Sequence, residues 1–217
     1  MKNVSTWDVY LVTDTALSKG RSDLEIVEAA VKGGISVVQV REKHLSARDF
    51  LLKATGIRQL LLHYNVPLIV NDRLDIAIAI DADGVHLGQS DIPLEVARRI
   101  LGPTKIIGWS INELSHINEK SSSLVDYFAI SPVFFTSTKE NISTPWRIEG
   151  VAKARLATSK PLVGIGGLGI DNTYEAVMAG LDCVAVVSAI VSKDDPQAAT
   201  ESLVRKVREA KRIRANG

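Results

Sequence analysis

The sequence predicts an α/β protein, a single-domain (β/α)8 TIM barrel over residues 1–217, and three observations predict it. Short apolar, β-branched runs alternate with longer amphipathic segments, and there are eight such runs. Strands separated by helices pair in parallel, because each crossover needs a helix to bring the chain back. A chain of 217 residues has room for eight such units. An open doubly wound sheet is the alternative with the same alternation.

The runs are "VYLVT" (9–13), "SVVQVR" (36–41), "PLIVND" (67–72), "GVHLG" (84–88), "KIIGWS" (105–110), "DYFAISPVF" (126–134), "PLVGIGG" (161–167) and "CVAVVSAI" (183–190). Between them, "DLEIVEAAVKGG", "SARDFLLKATGIRQLLLHY", "PLEVARRILG" and "IDNTYEAVMAG" carry apolar residues at three- and four-residue intervals, the helical period. Helix punctuation agrees: Ser46 suits an N-cap, Pro93 a first helical position, and Gly102 and Gly180 follow helix ends. No interdomain linker, low-complexity tract or long insertion interrupts the alternation.

Composition narrows the function. The chain is 46% apolar and 24% charged with net charge +1, which does not supply the clustered basic excess of a nucleic-acid surface. The one basic run, "KVREAKRIR", reads as the solvated face of a last helix. A single cysteine, Cys183, excludes an internal disulfide, and its apolar surroundings read as a packed thiol. No apolar stretch approaches membrane-spanning length and no signal-peptide pattern opens the chain, so a cytoplasmic protein without a membrane partner is expected. A homo-oligomer is compatible with this composition.

In a parallel barrel the chemistry sits at the C-terminal ends of the strands. In "VVQVREK" alternation points Val38 and Val40 one way and Gln39, Arg41 and Lys43 the other. A buried cation without a partner costs several kcal/mol, so something should be there to meet this row. The other strand ends carry Asn71 and Asp72; Gln89 and Asp91; Ser110; Thr136, Thr138 and Lys139; Gly166 and Gly167; and Ser188. The set contains cations, carboxylates, amides, hydroxyls and glycines but no histidine, which suggests anion and metal binding more than proton transfer.

The glycines of "GIGGLG" and the following "VVSAI" occupy strands seven and eight, where barrels bind phosphate through backbone N–H groups; the plainer reading is a chain turn. Thr136, Thr138 and Lys139 of "FFTSTK" offer hydroxyls and an ammonium suited to phosphate oxygens, or an ordinary polar loop. Asp72 and Asp91, on adjacent loops beside a phosphate-rich site, suit Mg2+, which takes few protein ligands; both could instead cap helices. Among the histidines, His86 lies within a strand and reads as structural, and His63 and His116 as surface positions.

The segments "VVQVREK", "PLIVNDRLDIAIAIDADGVHLGQ", "GPTKIIGWS", "SPVFFTSTK" and "PLVGIGGLGIDN…AGLDCVAVVSAI" together resemble the thiamine-phosphate synthases, from about residue 9 to residue 200. The resemblance implies a (β/α)8 enzyme, a transferase that joins hydroxymethylpyrimidine pyrophosphate to thiazole phosphate with Mg2+ and releases pyrophosphate. It implies that Gln39, Arg41, Lys43, Asn71 and Lys139 form the pyrimidine pyrophosphate side. Asp72 and Asp91 would hold Mg2+, and Ser110 would lie beside the pyrimidine. Thr136, Thr138 and the backbone at Gly167, Val187 and Ser188 would meet the thiazole phosphate. Arg41, Lys43 and Lys139 would stabilise the departing charge.

Two departures stand out. The loop after the proline reads "STPWRIEG", with Trp146 and Arg147 where a glycine is expected. "WSIN" has Asn112 where histidine is common. The sister thiazole tautomerases, which use a histidine near that point, are the first alternative; Lys43, Asp72 and Lys139 favour the synthase. A non-catalytic barrel that sequesters thiamine precursors is the second, and it has no need of Asp72 and Asp91 together.

Overall fold

A computed structural model describes residues 3–136 and 144–216. Its strands are β1 (Val9–Val12), β2 (Val37–Val40), β3 (Leu68–Asn71), β4 (Gly84–Leu87), β5 (Ile106–Ile111), β6 (Tyr127–Ile130), β7 (Leu162–Ile165) and β8 (Cys183–Val186). They pair in chain order, all parallel, and β8 closes on β1. This is the (β/α)8 barrel the alternation predicts. Most ladders are shorter than the apolar runs: "DYFAISPVF" leaves the sheet after Ile130, ahead of Pro132, and the residues beyond it become a loop at the C-terminal end of the barrel.

The helices are α1 (Asp23–Lys32), α2 (Ala47–Tyr64), α3 (Leu74–Ala79), α4 (Leu94–Leu101), α5 (Glu119–Leu124), α6 (Arg147–Ala157), α7 (Thr173–Met178), α8 (Ser188–Val191) and α9 (Pro196–Asn216). Ser46 caps α2, its hydroxyl accepting from the Asp49 N–H at 3.1 Å. Pro93 differs from expectation by one residue. Its extended ψ of 141° puts it at the N-cap, and α4 starts at Leu94.

Strand alternation separates two cores. Leu11, Val38, Val40 and Leu87 face outward and are buried under the helices. Val37, Ile69, Ile106, Val163 and Cys183 face inward and fill the barrel with Trp7, which a short 3-10 turn (Val4–Thr6) brings across its N-terminal end. Burial pushes the Cys183 thiol up, so it stays protonated and packs as a small apolar group.

The basic run lies on α9 as expected. Arg208 and Lys211 reach Asp8 at 2.7 and 2.8 Å, and Arg214 donates to the carbonyls of Val177 and Leu181. These cations tie the last helix to the barrel. Among the described residues no helix is long and apolar enough to cross a membrane.

Candidate active site

The C-terminal ends of the strands surround a cavity of about 1010 Å3. Gln39, Arg41, Asn71 and Ser110 line one side of it, and Thr136, Gly166, Gly167, Val187 and Ser188 the other. Thr138 and Lys139 lie outside the described residues. Lys43, Asp72 and Asp91 stand on the β2–β4 rim beside the cavity.

Gln39 faces inward and is buried, and Arg41 follows it into the cavity. Lys43 departs from the simple alternation, because β2 ends at Val40 and the chain then bends. Its ammonium reaches across to the Asp72 carboxylate. Glu42 turns the opposite way and pairs with Lys53 of α2, which also binds Asp23 and the Thr15 hydroxyl, each at 2.8 Å. Burial pulls the Lys53 ammonium down, and the two carboxylates more than reverse this, leaving it raised.

Neither aspartate is a helix cap. Asp72 has a left-handed backbone with φ +60°, a conformation that costs a non-glycine residue about 1–2 kcal/mol. Asp91 accepts from the Gly88 N–H at 2.6 Å, and α4 has no side-chain cap. Burial, followed by the neighbouring Asp72 carboxylate, pushes the Asp91 carboxyl up. Two neighbouring carboxylates, one of them paired with the Lys43 ammonium, are hard oxygen donors that fit a divalent cation. Asn71 Nδ2, buried and without a partner, adds an unsatisfied donor on the same side.

Below the rim, Tyr10, Tyr127 and His86 are buried in the barrel. Trp7 packs edge-on against both tyrosine rings, with centroids 5.6 and 5.7 Å away, and His86 stacks on Tyr127. His86 Nδ1 lies 2.9 Å from the Tyr127 hydroxyl and Nε2 lies 2.8 Å from Ser110 Oγ, so the histidine is satisfied as expected. Its contact with Ser110 nevertheless joins it to the site. Gly108 makes room for this arrangement: a Cβ there would lie 2.0 Å from Tyr127 Cζ.

On the other side, Gly166 and Gly167 have φ of +95° and +66°. A Cβ at Gly166 would meet Pro132 at 2.7 Å, and one at Gly167 would meet the Phe135 carbonyl oxygen at 2.6 Å. The glycines therefore turn the chain and admit the β6 loop, while also lining the cavity. Asn172 fixes this turn, donating to the Gly167 carbonyl at 2.8 Å and accepting from the Gly169 N–H at 2.9 Å.

A barrel with its cations, paired carboxylates and glycine turn at one rim can be compared with known proteins. The family model described as thiamine monophosphate synthase matches residues 9–190. The chain belongs to the thiamine monophosphate synthase family. It is 47% identical over 188 residues to the thiamine-phosphate synthase of Albidiferax ferrireducens, covering 87% of this chain and 86% of that one. It is 45% identical over 197 residues to that of Clostridium novyi, covering 91% and 97%. The solved structure of thiamine phosphate pyrophosphorylase from Pyrococcus furiosus superposes with a TM-score of 0.86 at 35% identity, covering 96% of this chain and 98% of that one. As a member of this family the chain is an enzyme of the transferase class.

Within the thiamine monophosphate synthase family, the two departures now have a physical description. Trp146 is half-buried against the core, and its N–H donates to the Pro132 carbonyl at 2.9 Å. Arg147 adopts φ +54°, the backbone conformation a glycine takes without strain. Asn112 is exposed at the end of β5, and its N–H donates to His116 Nδ1 at 3.4 Å. His116 is only partly exposed, contrary to the surface position expected, because it packs on Trp109 with centroids 5.4 Å apart. Tyr10 and Tyr127, inside apolar runs of β1 and β6, were not singled out by the sequence.

Proposed function

We propose that the chain joins hydroxymethylpyrimidine pyrophosphate to thiazole phosphate by a dissociative, Mg2+-assisted substitution, giving thiamine phosphate and pyrophosphate. The observation that carries this reading is the rim of β2–β4. Arg41 and Lys43 stand there beside the adjacent carboxylates of Asp72 and Asp91, and Asn71 Nδ2 is buried without a partner. Cations placed against carboxylates suit an anion that arrives with a divalent metal.

Asp72 and Asp91 are the residues that would hold Mg2+, which supplies charge neutralisation for a leaving pyrophosphate when bound. Arg41, Lys43, Lys139 and Asn71 would take the pyrophosphate oxygens. Gln39 and Ser110 would hold the pyrimidine ring, with Thr136, Thr138 and the backbone of Gly167, Val187 and Ser188 on the thiazole phosphate.

The C–O bond to pyrophosphate breaks to leave a pyrimidine cation stabilised by its own amino group, and the thiazole nitrogen attacks it. That nitrogen carries no proton to remove, so the reaction needs no acid–base dyad. The protein's share is orientation of two phosphorylated substrates and stabilisation of departing charge, effects worth several kcal/mol or more. A cytoplasmic location goes with this reading, since the lone Cys183 is buried and unpaired.

The test is pyrophosphate release by the purified protein supplied with pyrimidine pyrophosphate and Mg2+, with and without thiazole phosphate. Release that requires the thiazole and yields thiamine phosphate is expected. Saturable thiazole phosphate binding without release would overturn the reading in favour of a tautomerase or a binding protein.

A further inference from the structure

The barrel interior holds a continuous chain of side-chain hydrogen bonds that the rim charges do not explain. Gln39 Nε2 donates to the Tyr10 hydroxyl at 2.8 Å, and the Tyr10 and Tyr127 hydroxyls lie 3.1 Å apart. Tyr127 then meets His86 Nδ1 at 2.9 Å, and His86 Nε2 meets Ser110 Oγ at 2.8 Å. All five side chains border the cavity.

The proton count gives this chain a direction. An amide NH2 only donates, and a hydroxyl has one proton to give. Tyr10 accepts from Gln39, so its own proton goes to Tyr127. Tyr127 accepts it and gives its proton to His86 Nδ1. Burial pushes both phenols far up, so each keeps the proton this sequence needs. With Nδ1 an acceptor, the imidazole proton sits on Nε2 and goes to Ser110 Oγ. The serine has then accepted from the protein and has its own proton left for the cavity. The polarity is all-or-none, since turning the Gln39 amide over would reverse every bond and make Ser110 an acceptor.

We infer that this relay makes Ser110 an obligate hydrogen-bond donor to the ligand, with Tyr10, Tyr127 and His86 as positioning residues. It selects a heteroaromatic ring that presents an acceptor, such as a nitrogen lone pair, and rejects one that presents N–H at that point, because two donors would then face each other. That the ring is the pyrimidine substrate rests on the proposed synthase reaction; the direction of the relay does not.

The test uses the intact protein labelled with 15N-histidine, with the His86 signal identified by its loss in His86→Gln. Long-range 1H–15N correlation is expected to show a protonated Nε2 and a bare Nδ1 in the ligand-free protein. The opposite tautomer, or protons on both nitrogens, overturns the relay. Kinetics supply the second arm. Ser110→Ala and Tyr127→Phe should each raise KM for pyrimidine pyrophosphate about tenfold, the loss of one hydrogen bond, while KM for thiazole phosphate holds. Because Tyr127 acts through Ser110, the double variant should be no worse than Ser110→Ala alone. Multiplying losses would overturn the inference. If Tyr127→Phe folds poorly, Tyr10→Phe cuts the chain one bond earlier and is read the same way. A bare Nδ1 in a protein that turns over no pyrimidine pyrophosphate would reject the reaction and uphold the relay.

Discussion

The floor and the rim of this site are both polar, but their groups are satisfied differently. On the floor, Gln39, Tyr10, Tyr127, His86 and Ser110 bond one another in an interior packed by Trp7. At the β2–β4 rim, no carboxylate pairs with Arg41 among the described residues, Asn71 Nδ2 has no partner, and Asp72 and Asp91 crowd each other. A buried network with every member paired is rigid and holds its shape before a ligand arrives. A rim of unspent donors and opposed carboxylates leaves its groups open to a ligand. Substitutions on the floor should therefore be read mainly in stability and positioning, and those at the rim in turnover.

The largest effect is expected from Asp72→Asn. Asparagine tolerates the left-handed backbone at this position, so the fold should survive. Loss of one of two carboxylates should lower Mg2+-dependent pyrophosphate release by about a hundredfold or more, corresponding to several kcal/mol of charge stabilisation. Thiazole phosphate should bind as before in calorimetry. An unchanged Mg2+ dependence would sink the assignment of Asp72.

Gly108→Ala tests the floor. Its Cβ would come within 2.0 Å of Tyr127 Cζ, and the ring cannot swing away because Trp7, Tyr10 and His86 surround it. Overpacking of this kind costs about 3 kcal/mol, or roughly 10 °C in melting temperature for a chain of this size. A melting curve like the parent's would show that the tyrosine is free to move, and would remove the floor's claim to rigidity.

The same contrast explains what the sequence reveals. Parallel strands buried on both faces read as apolar runs, so all eight strands were legible, as was the inward direction of Gln39 and Arg41. Strand ends were less legible, because the ladder stops after four residues at β2 and Lys43 reaches Asp72 from a bend. The rim could be read because its residues sit in charged clusters within single loops. The floor could not, because Tyr10, His86 and Tyr127 come from β1, β4 and β6 and meet only when the barrel closes. Each one alone reads as an ordinary core residue. Gly108 is equally silent, since its need is set by a ring on the neighbouring strand.

Arg41→Ala should show the rim's character in the reverse sense to Gly108→Ala. The guanidinium borders the cavity, and its backbone N–H, which the substitution keeps, donates to Thr13 Oγ1 at 3.1 Å. Turnover should fall about a hundredfold, as when one charge-stabilising donor is removed, with melting temperature within about 1 °C of the parent. A large drop in ligand-free melting temperature would move Arg41 from the rim's class to the floor's.

Lys53→Met tests the boundary between the two classes and should have the smallest effect on turnover. Lys53 touches neither cavity nor rim, yet it anchors Glu42, the residue between Arg41 and Lys43, and binds Asp23 as well. Removing it leaves two largely buried carboxylates without their cation, a loss of about 2 kcal/mol after allowance for solvent access. Because the Lys53 ammonium is held above its ordinary value in the folded state, its stabilising contribution is complete below the unfolded lysine value of about 10.4 and disappears only as pH rises through the folded value. The stability deficit of Lys53→Met, measured by urea denaturation, should therefore be constant between about pH 6 and 9. If Glu42 positions its neighbours, KM for pyrimidine pyrophosphate should rise a few-fold along with the stability loss. A stability loss with unchanged KM would show that the loop holds Arg41 and Lys43 in place without this anchor.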